Sequence, residues 1–164
     1  MPPLPFIGRM LDSSIVFSFD ASGFKRHAQD FEGPEIDVNL IGKICLVTGA
    51  NSGLGHATSI DLARRGAQVV MLCRNPERGE KALREIREQS GSARVELRIL
   101  DLSSLADIRR FAEEWDDTPI DALVHNAGVL PSERQITEDG LELCLATNLV
   151  GPFLLTALLW PALA

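Results

Sequence analysis

The 164-residue sequence contains no tyrosine, and its lysines, Lys25, Lys43 and Lys81, all lie in the first half. No phenol is present to serve as acid, base or nucleophile, and beyond Lys81 arginine supplies all the fixed positive charge. Cysteine is scarce too. Cys45, Cys73 and Cys144 stand 28 and 71 residues apart, with no C-x-x-C pair and no neighbouring histidine at zinc-ligand spacing. That pattern excludes a disulfide framework and a metal site, and reads as reduced packing residues in a cytosolic type of protein. The N-terminus lacks a charged start followed by a long apolar run, and residues 1–40 hold six acidic side chains, which speaks against a secretory signal or an Arg-rich transit peptide. The apolar stretch Leu149 to Ala164 is short of a membrane span and is interrupted by Pro152 and Pro161. A core helix is expected there, with no transmembrane segment and a cytoplasmic location.

Length and composition bound the rest. The chain is close to the roughly 150 residues of one domain. With 45% hydrophobic and 24% charged residues, it is neither disordered, collagen-like nor a multi-span membrane protein. The net charge of −7 is unevenly spread: residues 1–40 carry 3 basic and 6 acidic groups, 41–100 carry 10 and 6, and 101–164 carry 3 and 11. Overall acidity argues against nucleic acid as a partner, while the basic middle suits the phosphates of a small cofactor.

From Gly42 onward, short apolar runs alternate with helical patterns, the signature of a parallel α/β sheet. Lys43 to Thr48 is almost wholly apolar, as a strand covered on both faces should be. A glycine-rich turn, Gly49 to Gly55, leads into a helix to about Arg65, with Gly66 placed as its left-handed terminator. Gln68 to Cys73 reads as a second strand. Asn75 and Pro76 then form the cap and first position of a helix to about Gln89. Arg94 to Leu100 alternates, which suits a strand at a sheet edge. Ser104 and Asp107 cap a helix that places Leu105, Ile108, Phe111 and Trp115 on one face. Ile120 to His125 is a fourth strand, and a last helix is expected to begin after Thr137 and run to the terminus. Residues 1–40, with Phe17, Phe19, Phe24 and Phe31, form a separate extension ahead of the domain at 41–164. It is either a partly helical segment packed on the domain or on a partner, or a loosely ordered arm.

The strongest chemical signal is Thr48-Gly49-Ala50-Asn51-Ser52-Gly53-Leu54-Gly55, directly after a strand and opening a helix. Absent side chains let the backbone turn tightly, let a pyrophosphate approach and let helix and strand pack closely. A nucleotide-triphosphate loop would need G-x-x-x-x-G-K-[ST], and counting from Gly49 puts Leu54 and Gly55 where its second glycine and lysine belong. A dinucleotide is the expected ligand. Where an NAD enzyme would offer a carboxylate to the adenosine ribose, at the end of the second strand, this chain has Cys73 and Arg74. A guanidinium can form forked, charge-assisted contacts with a 2′-phosphate, so NADP is expected over NAD.

T-G-A-N-S-G-L-G, C-R-N after the second strand, D-L at Asp101 and Leu102, N-A-G at Asn126 to Gly128 and N-x-x-G-x-F from Asn148 to Phe153 occur in order. Together they resemble the N-terminal, cofactor-binding half of the short-chain dehydrogenase/reductase superfamily. Within it, the aromatic stretch Phe19 to Phe31 and T-E-D-G-L-E at Thr137 to Glu142 resemble one branch in particular. The resemblance implies a Rossmann-like doubly wound parallel sheet, a nicotinamide cofactor, and hydride exchange between a small carbonyl or alcohol and that cofactor. It also implies residue roles. Gly49, Gly53 and Gly55 would line the pyrophosphate, Asn51, Ser52 and Leu54 between them would also contact the cofactor, and Asp101 and Leu102 would border the adenine. Asn126, Ala127 and Gly128 would sit beside the cofactor ribose, and Asn148 would take the catalytic role of holding a relay water. Pro152, which has no N–H for the Asn148 carbonyl, predicts a kink there. His125 is read as a packing residue, and His56 as a surface residue of its helix with phosphate proximity as the alternative.

The superfamily's Ser and Tyr-x-x-x-Lys would lie beyond the N-x-x-G-x-F helix, so the sheet is expected to be truncated after the fourth strand and its following helix. With no tyrosine and no late lysine, this chain by itself is expected to be inactive and poorly soluble. Its open sheet edge and the apolar helix Leu149 to Leu163 would favour self-association. A non-catalytic nucleotide-binding or regulatory module, or a non-functional truncated product, are the alternative readings.

Overall fold

A computed structural model describes residues 38–163, so nearly all of the expected extension 1–40 lies outside the described residues. The strands are β1 (Ile44–Thr48), β2 (Gln68–Cys73), β3 (Val95–Ile99) and β4 (Ala122–Val124). Between and after them run the helices α1 (Gly53–Arg64), α2 (Pro76–Ser90), α3 (Leu105–Glu113), α4 (Leu143–Leu145) and α5 (Gly151–Leu159). The four strands form one parallel sheet in the order β3-β2-β1-β4.

Strand alternation divides the interior into two cores. Cys45, Val47, Val69, Met71 and Cys73 face one side, where Ile60 and Ala63 of α1 and Leu83 and Ile86 of α2 cover them. Leu46, Val70 and Leu72 face the other, under Ile108 and Phe111 of α3 and Leu155 and Leu159 of α5. Both faces of β1 and β2 are therefore dry, which explains why these strands read as unbroken apolar runs. β3 alternates because it is an edge strand: Val95 is buried, whereas Glu96 and Arg98 point outward and lie 3.7 Å apart. Cys45 and Cys73 are packing residues of the first core, and burial pushes the Cys73 thiol up to about 11 against the opposing pull of the Ala50 and Asn51 N–H groups.

The caps follow the sequence signals. Asn75 Oδ1 accepts from Arg78 N–H at 2.9 Å, and Ser104 Oγ accepts from Asp107 N–H at 3.2 Å. Gly66 and Gly91, which follow α1 and α2, have φ of 96° and 70°, the left-handed region that ends helices without a Cβ penalty.

One expectation is corrected. α3 stops at Glu113, so Trp115 lies past its end; its ring still packs 6.0 Å from that of Phe111, and its Nε1 donates to Thr118 O. The last helix starts after Thr137 as expected, at Leu143. Thr137 and Gly140 close a tight turn: Gly140 N–H donates to Thr137 O, Thr137 N–H to Leu141 O, and Gly140 takes φ of 76°. Asp139 on that turn reaches back to accept Leu105 N–H at 2.9 Å, satisfying an orphan donor at the start of α3. The expected break near Asn148 takes the form of a π-helical turn, Ala146–Val150, in which Gly151 N–H bonds to Ala146 O. Proline at 152 cannot continue the ordinary ladder, and a register shift resolves it.

Helical residues run from Leu143 to Ala162, 20 residues with mean hydropathy 1.8, long and apolar enough by those measures to cross a membrane. In this fold Leu155 and Leu159 lie in the second core, while Leu149, Phe153 and Trp160 are exposed.

β4 is tied to β1 at its start by Asp121. The carboxylate accepts from Lys43 Nζ and from Ile44 N–H, each at 2.8 Å. The Lys43 side-chain bond, then the Ile44 N–H, hold the Asp121 carboxyl below the ordinary carboxylate range. A depressed folded value adds stability that is present above the unfolded value of about 3.9 and is lost as pH falls through the folded one. Asp121→Asn should therefore blunt the acid limb of stability below about pH 4, measured as thermal midpoint against pH. An acid limb identical to that of the parent chain would show that Asp121 carries none of it.

Candidate functional site: a cleft at the carboxyl ends of the strands

In an open parallel sheet the strand ends deliver their loops to one rim, and the crevice lies where the connections diverge. Here that point is between β1 and β4, whose helices pass to opposite faces. A cleft of about 370 Å³ opens there, walled by the loops after all four strands. Of the expected residues, Gly49, Asn51, Ser52, Leu54, Arg74, Asp101, Leu102, Asn126, Ala127 and Gly128 line it. Gly53, Gly55 and Asn148 are not on its wall and act on it from behind or beside.

The glycines have separate physical reasons. Gly49 turns with φ of 66°, and a Cβ there would stand 2.9 Å from Ala127 Cα. Gly55 is buried under the loop, where a Cβ would meet Asn126 Nδ2 at 2.4 Å and Gly49 O at 2.7 Å. Gly53 has φ of 59° and open space within 4 Å, so its backbone is free to be approached. Ser52, the cap position of α1, gives no side-chain cap bond, and the first turn holds no acidic residue. The leading N–H groups of α1 and its positive dipole end are thus left for an outside anion, whereas Asn75 and Ser104 close α2 and α3 from within.

A bonded lock joins the glycine turn to the loop after β4. Asn126 N–H and Ala127 N–H both donate to Thr48 Oγ1 at 3.0 Å, and that hydroxyl donates to Val124 O at 3.3 Å. In return Asn126 Nδ2 donates to Thr48 O at 3.0 Å and Gly49 O at 3.2 Å. Thr48 is 1% exposed, so these bonds are shielded from water. Asn126 is thereby a brace for the glycine turn as well as a wall of the cleft.

Asn148 performs the matching task on the other side. Its Oδ1 accepts from Val129 N–H and its Nδ2 donates to Val129 O, both at 2.9 Å, copying a strand partner. Gly151 lets this helix approach: a Cβ there would lie 2.3 Å from Leu102 O. Asp101 is held by Ser103, whose N–H and Oγ donate to its Oδ1 at 2.9 and 2.7 Å. Arg74 is exposed, and no ion pair or hydrogen bond to another described residue engages it.

The two histidines among the described residues, His56 and His125, stand aside from the cleft. His125 Nε2 is 2.8 Å from Thr156 Oγ1, which donates to Pro152 O, so the imidazole donates to the hydroxyl and packs against α5. His56 is not the surface residue expected: only 17% of its side chain is exposed, and its Nε2 lies 3.5 Å from Glu85 Oε2 on α2.

Sequence reasoning missed Leu72, Leu100, Val129 and Thr147 on the wall, and Thr48 behind it. Thr48 was within the quoted glycine motif, and its place at the strand end was a usable signal. The other four read as ordinary core or helix residues. Among the described residues no cluster of His, Cys, Asp or Glu suits a metal ion. The tight glycine turn, the uncapped α1, the clear space at Gly53 and the free Arg74 fit an elongated, phosphate-bearing ligand such as a dinucleotide.

Comparison with known proteins agrees. Dehydrogenase/reductase SDR family member 13 of Homo sapiens is 48% identical over 127 residues, covering 76% of this chain and 33% of the relative. Dehydrogenase/reductase SDR family member 12 of Bos taurus is 38% identical over 146 residues, covering 88% and 46%. That protein represents the branch which the aromatic N-terminal stretch and Thr137 to Glu142 resemble. The chain thus spans between a third and a half of the length of these curated relatives. A solved short chain dehydrogenase from Escherichia coli CFT073, complexed with NADPH, is 28% identical with a TM-score of 0.63, covering 77% of this chain and 55% of its own. The family model for short chain dehydrogenases matches residues 43–164, and with the Rossmann-like sheet and its cleft this establishes that the chain belongs to the short-chain dehydrogenase/reductase family.

Proposed function

We propose that these residues form the dinucleotide-binding part of an NADP(H)-dependent oxidoreductase that exchanges hydride between a small carbonyl or alcohol and its cofactor. One observation carries the cofactor preference. Arg74, at the carboxyl end of β2, lines the cleft with its guanidinium uncommitted, at the place where a carboxylate would otherwise receive a ribose 2′-hydroxyl. A carboxylate there would repel a 2′-phosphate, and an arginine attracts it through two parallel bonds. The NADPH bound to the Escherichia coli relative supports the same reading. Cytoplasmic residence remains part of the proposal.

Proton transfer to or from the reacting oxygen contributes roughly 10²- to 10⁴-fold to such a reaction, and the superfamily's tyrosine donor has no counterpart among these 164 residues. Binding without turnover is the activity proposed for this chain alone. Exposed Leu149, Phe153 and Trp160 support self-association.

Titration of the chain with NADPH and NADH by intrinsic or nucleotide fluorescence is the test. NADPH should bind at least tenfold more tightly, and Arg74→Ala should remove most of that difference, of the order of 1.5–3 kcal/mol expected for a charged hydrogen bond. Equal affinities, untouched by the substitution, would refute NADP preference. Turnover of NADPH with aldehydes or ketones by the purified chain would refute the binding-only reading.

A further inference from the structure

His56 sits in the first turn of α1, directly after Gly55, and its N–H donates to Ser52 O at 3.3 Å. The side chain turns away from the cleft and towards α2. Its Nε2 is buried and has no hydrogen-bond partner among the described residues. Among those residues Glu85 of α2 is the one carboxylate within 4 Å of the ring, its Oε2 standing 3.5 Å from Nε2. That spacing suits an ion pair but is too long for a good hydrogen bond. A neutral ring leaves the nitrogen unpaired there, whereas a protonated ring is drawn to the carboxylate and makes a charge-assisted bond.

The surroundings decide when the proton is held. α2 presents Glu85 and, 3.8 Å from its other oxygen, Lys81. Beneath α1, the strands β1 and β2 contribute only Cys45 and Cys73, thiols that burial pushes up and so keeps neutral. On α1 itself the first turn has no acidic residue, and Asp61, more than a turn farther on, is engaged by Arg65. Glu85 therefore favours a charged imidazole, while Lys81 and the positive end of the α1 dipole oppose it. A ligand changes the last of these. An anion seated on the leading N–H groups of α1 offsets the positive end, and the ring charge and the ligand charge then attract each other across the first turn.

Resting on the dinucleotide reading above, we infer that His56 and Glu85 form a proton-operated brace between α1 and α2: the imidazole takes up a proton as the pyrophosphate arrives, closes on Glu85, and so holds the ligand more tightly. Linkage makes the coupling reciprocal, so a protonated ring raises affinity by the same factor by which the ligand favours the protonated ring. The test is titration of the full chain with NADPH at about pH 6 and about pH 8, which bracket the ordinary imidazole range. His56→Gln keeps a polar side chain that does not titrate. The ratio of parent to variant affinity cancels the protonation of the cofactor's own phosphate.

The parent should bind about two- to fivefold more tightly than His56→Gln at the lower pH, the worth of one charge at a helix end, and about equally at the higher. Glu85→Gln should reduce the pH dependence of the parent to that of His56→Gln. In the unsubstituted chain, the His56 ring protons, followed by NMR near neutral pH, should move towards their protonated position as NADPH is added. An affinity ratio that is the same at both pH values, or a ring whose protonation ignores NADPH, overturns the inference and leaves the dinucleotide reading standing. A parent chain that binds no NADPH at either pH overturns both.

Discussion

Replacing Gly151 by alanine should cost about 3 kcal/mol of folding stability or more, at the upper end of what overpacking exacts. The added Cβ would lie 2.3 Å from Leu102 O and 3.0 Å from Ala146 O. Neither obstacle is the tip of a flexible side chain. One is backbone in the loop after β3, and the other is the carbonyl that receives the Gly151 N–H in the π-turn. Relief requires α5 to slide away from Leu102, which opens the second core at Leu155 and Leu159. Urea unfolding of the variant, followed by circular dichroism, is the check. A midpoint within error of the parent's would mean that the helix is less closely seated than described.

Gly55→Ala should act mainly on binding, lowering dinucleotide affinity by about 100-fold, equivalent to about 2.7 kcal/mol. Its Cβ would strike Asn126 Nδ2 at 2.4 Å and Gly49 O at 2.7 Å, the same groups that bond one another across the lock. Both ends of the lock then shift, moving the glycine turn and the Asn126 wall together. Gly53→Ala is the instructive contrast. With nothing within 4 Å, that methyl meets only the left-handed φ of 59°, a penalty of about 1–2 kcal/mol. Parallel calorimetric titrations of the two variants should rank Gly55→Ala as the weaker binder at equal fold content. The reverse order would show that backbone conformation, rather than the lock, governs the cradle.

The sequence was most legible where structure is decided locally. β2 occupies the very residues Gln68–Cys73 that its apolar run marked, and Asn75 caps α2 as its neighbour Pro76 suggested. The alternation of β3 correctly placed it at an edge, because one face of an edge strand meets water. Legibility failed where a distant partner decides. The run after Thr137 marked a last helix without its first residue, because Asp139 is drawn to Leu105, 34 residues back, and the helix starts at Leu143. His56 follows the last motif glycine on what reads as an exposed face, yet α2 packs over it. Thr147 carried no signal, since a threonine before Asn148 looks like any helical residue until the carbonyl ladder around it shifts.

β4 has only three residues and is bonded to β1 beyond both of its ends, by Lys43 with Asp121 and by Thr48 with Asn126. Each bond closes the same span of 78 residues. The units β1-α1-β2 and β2-α2-β3 close far shorter segments, so loop entropy orders assembly: they form first, and β4 docks late. The cleft exists only after that last pairing, because two of its walls come from β1 and β4. Cofactor therefore meets a binding site whose presence reports completed folding, and it holds the chain there by mass action. The shortest strand of the sheet becomes the one that ligand concentration controls, and amide exchange at Ala122–Val124 should slow first as the dinucleotide is added.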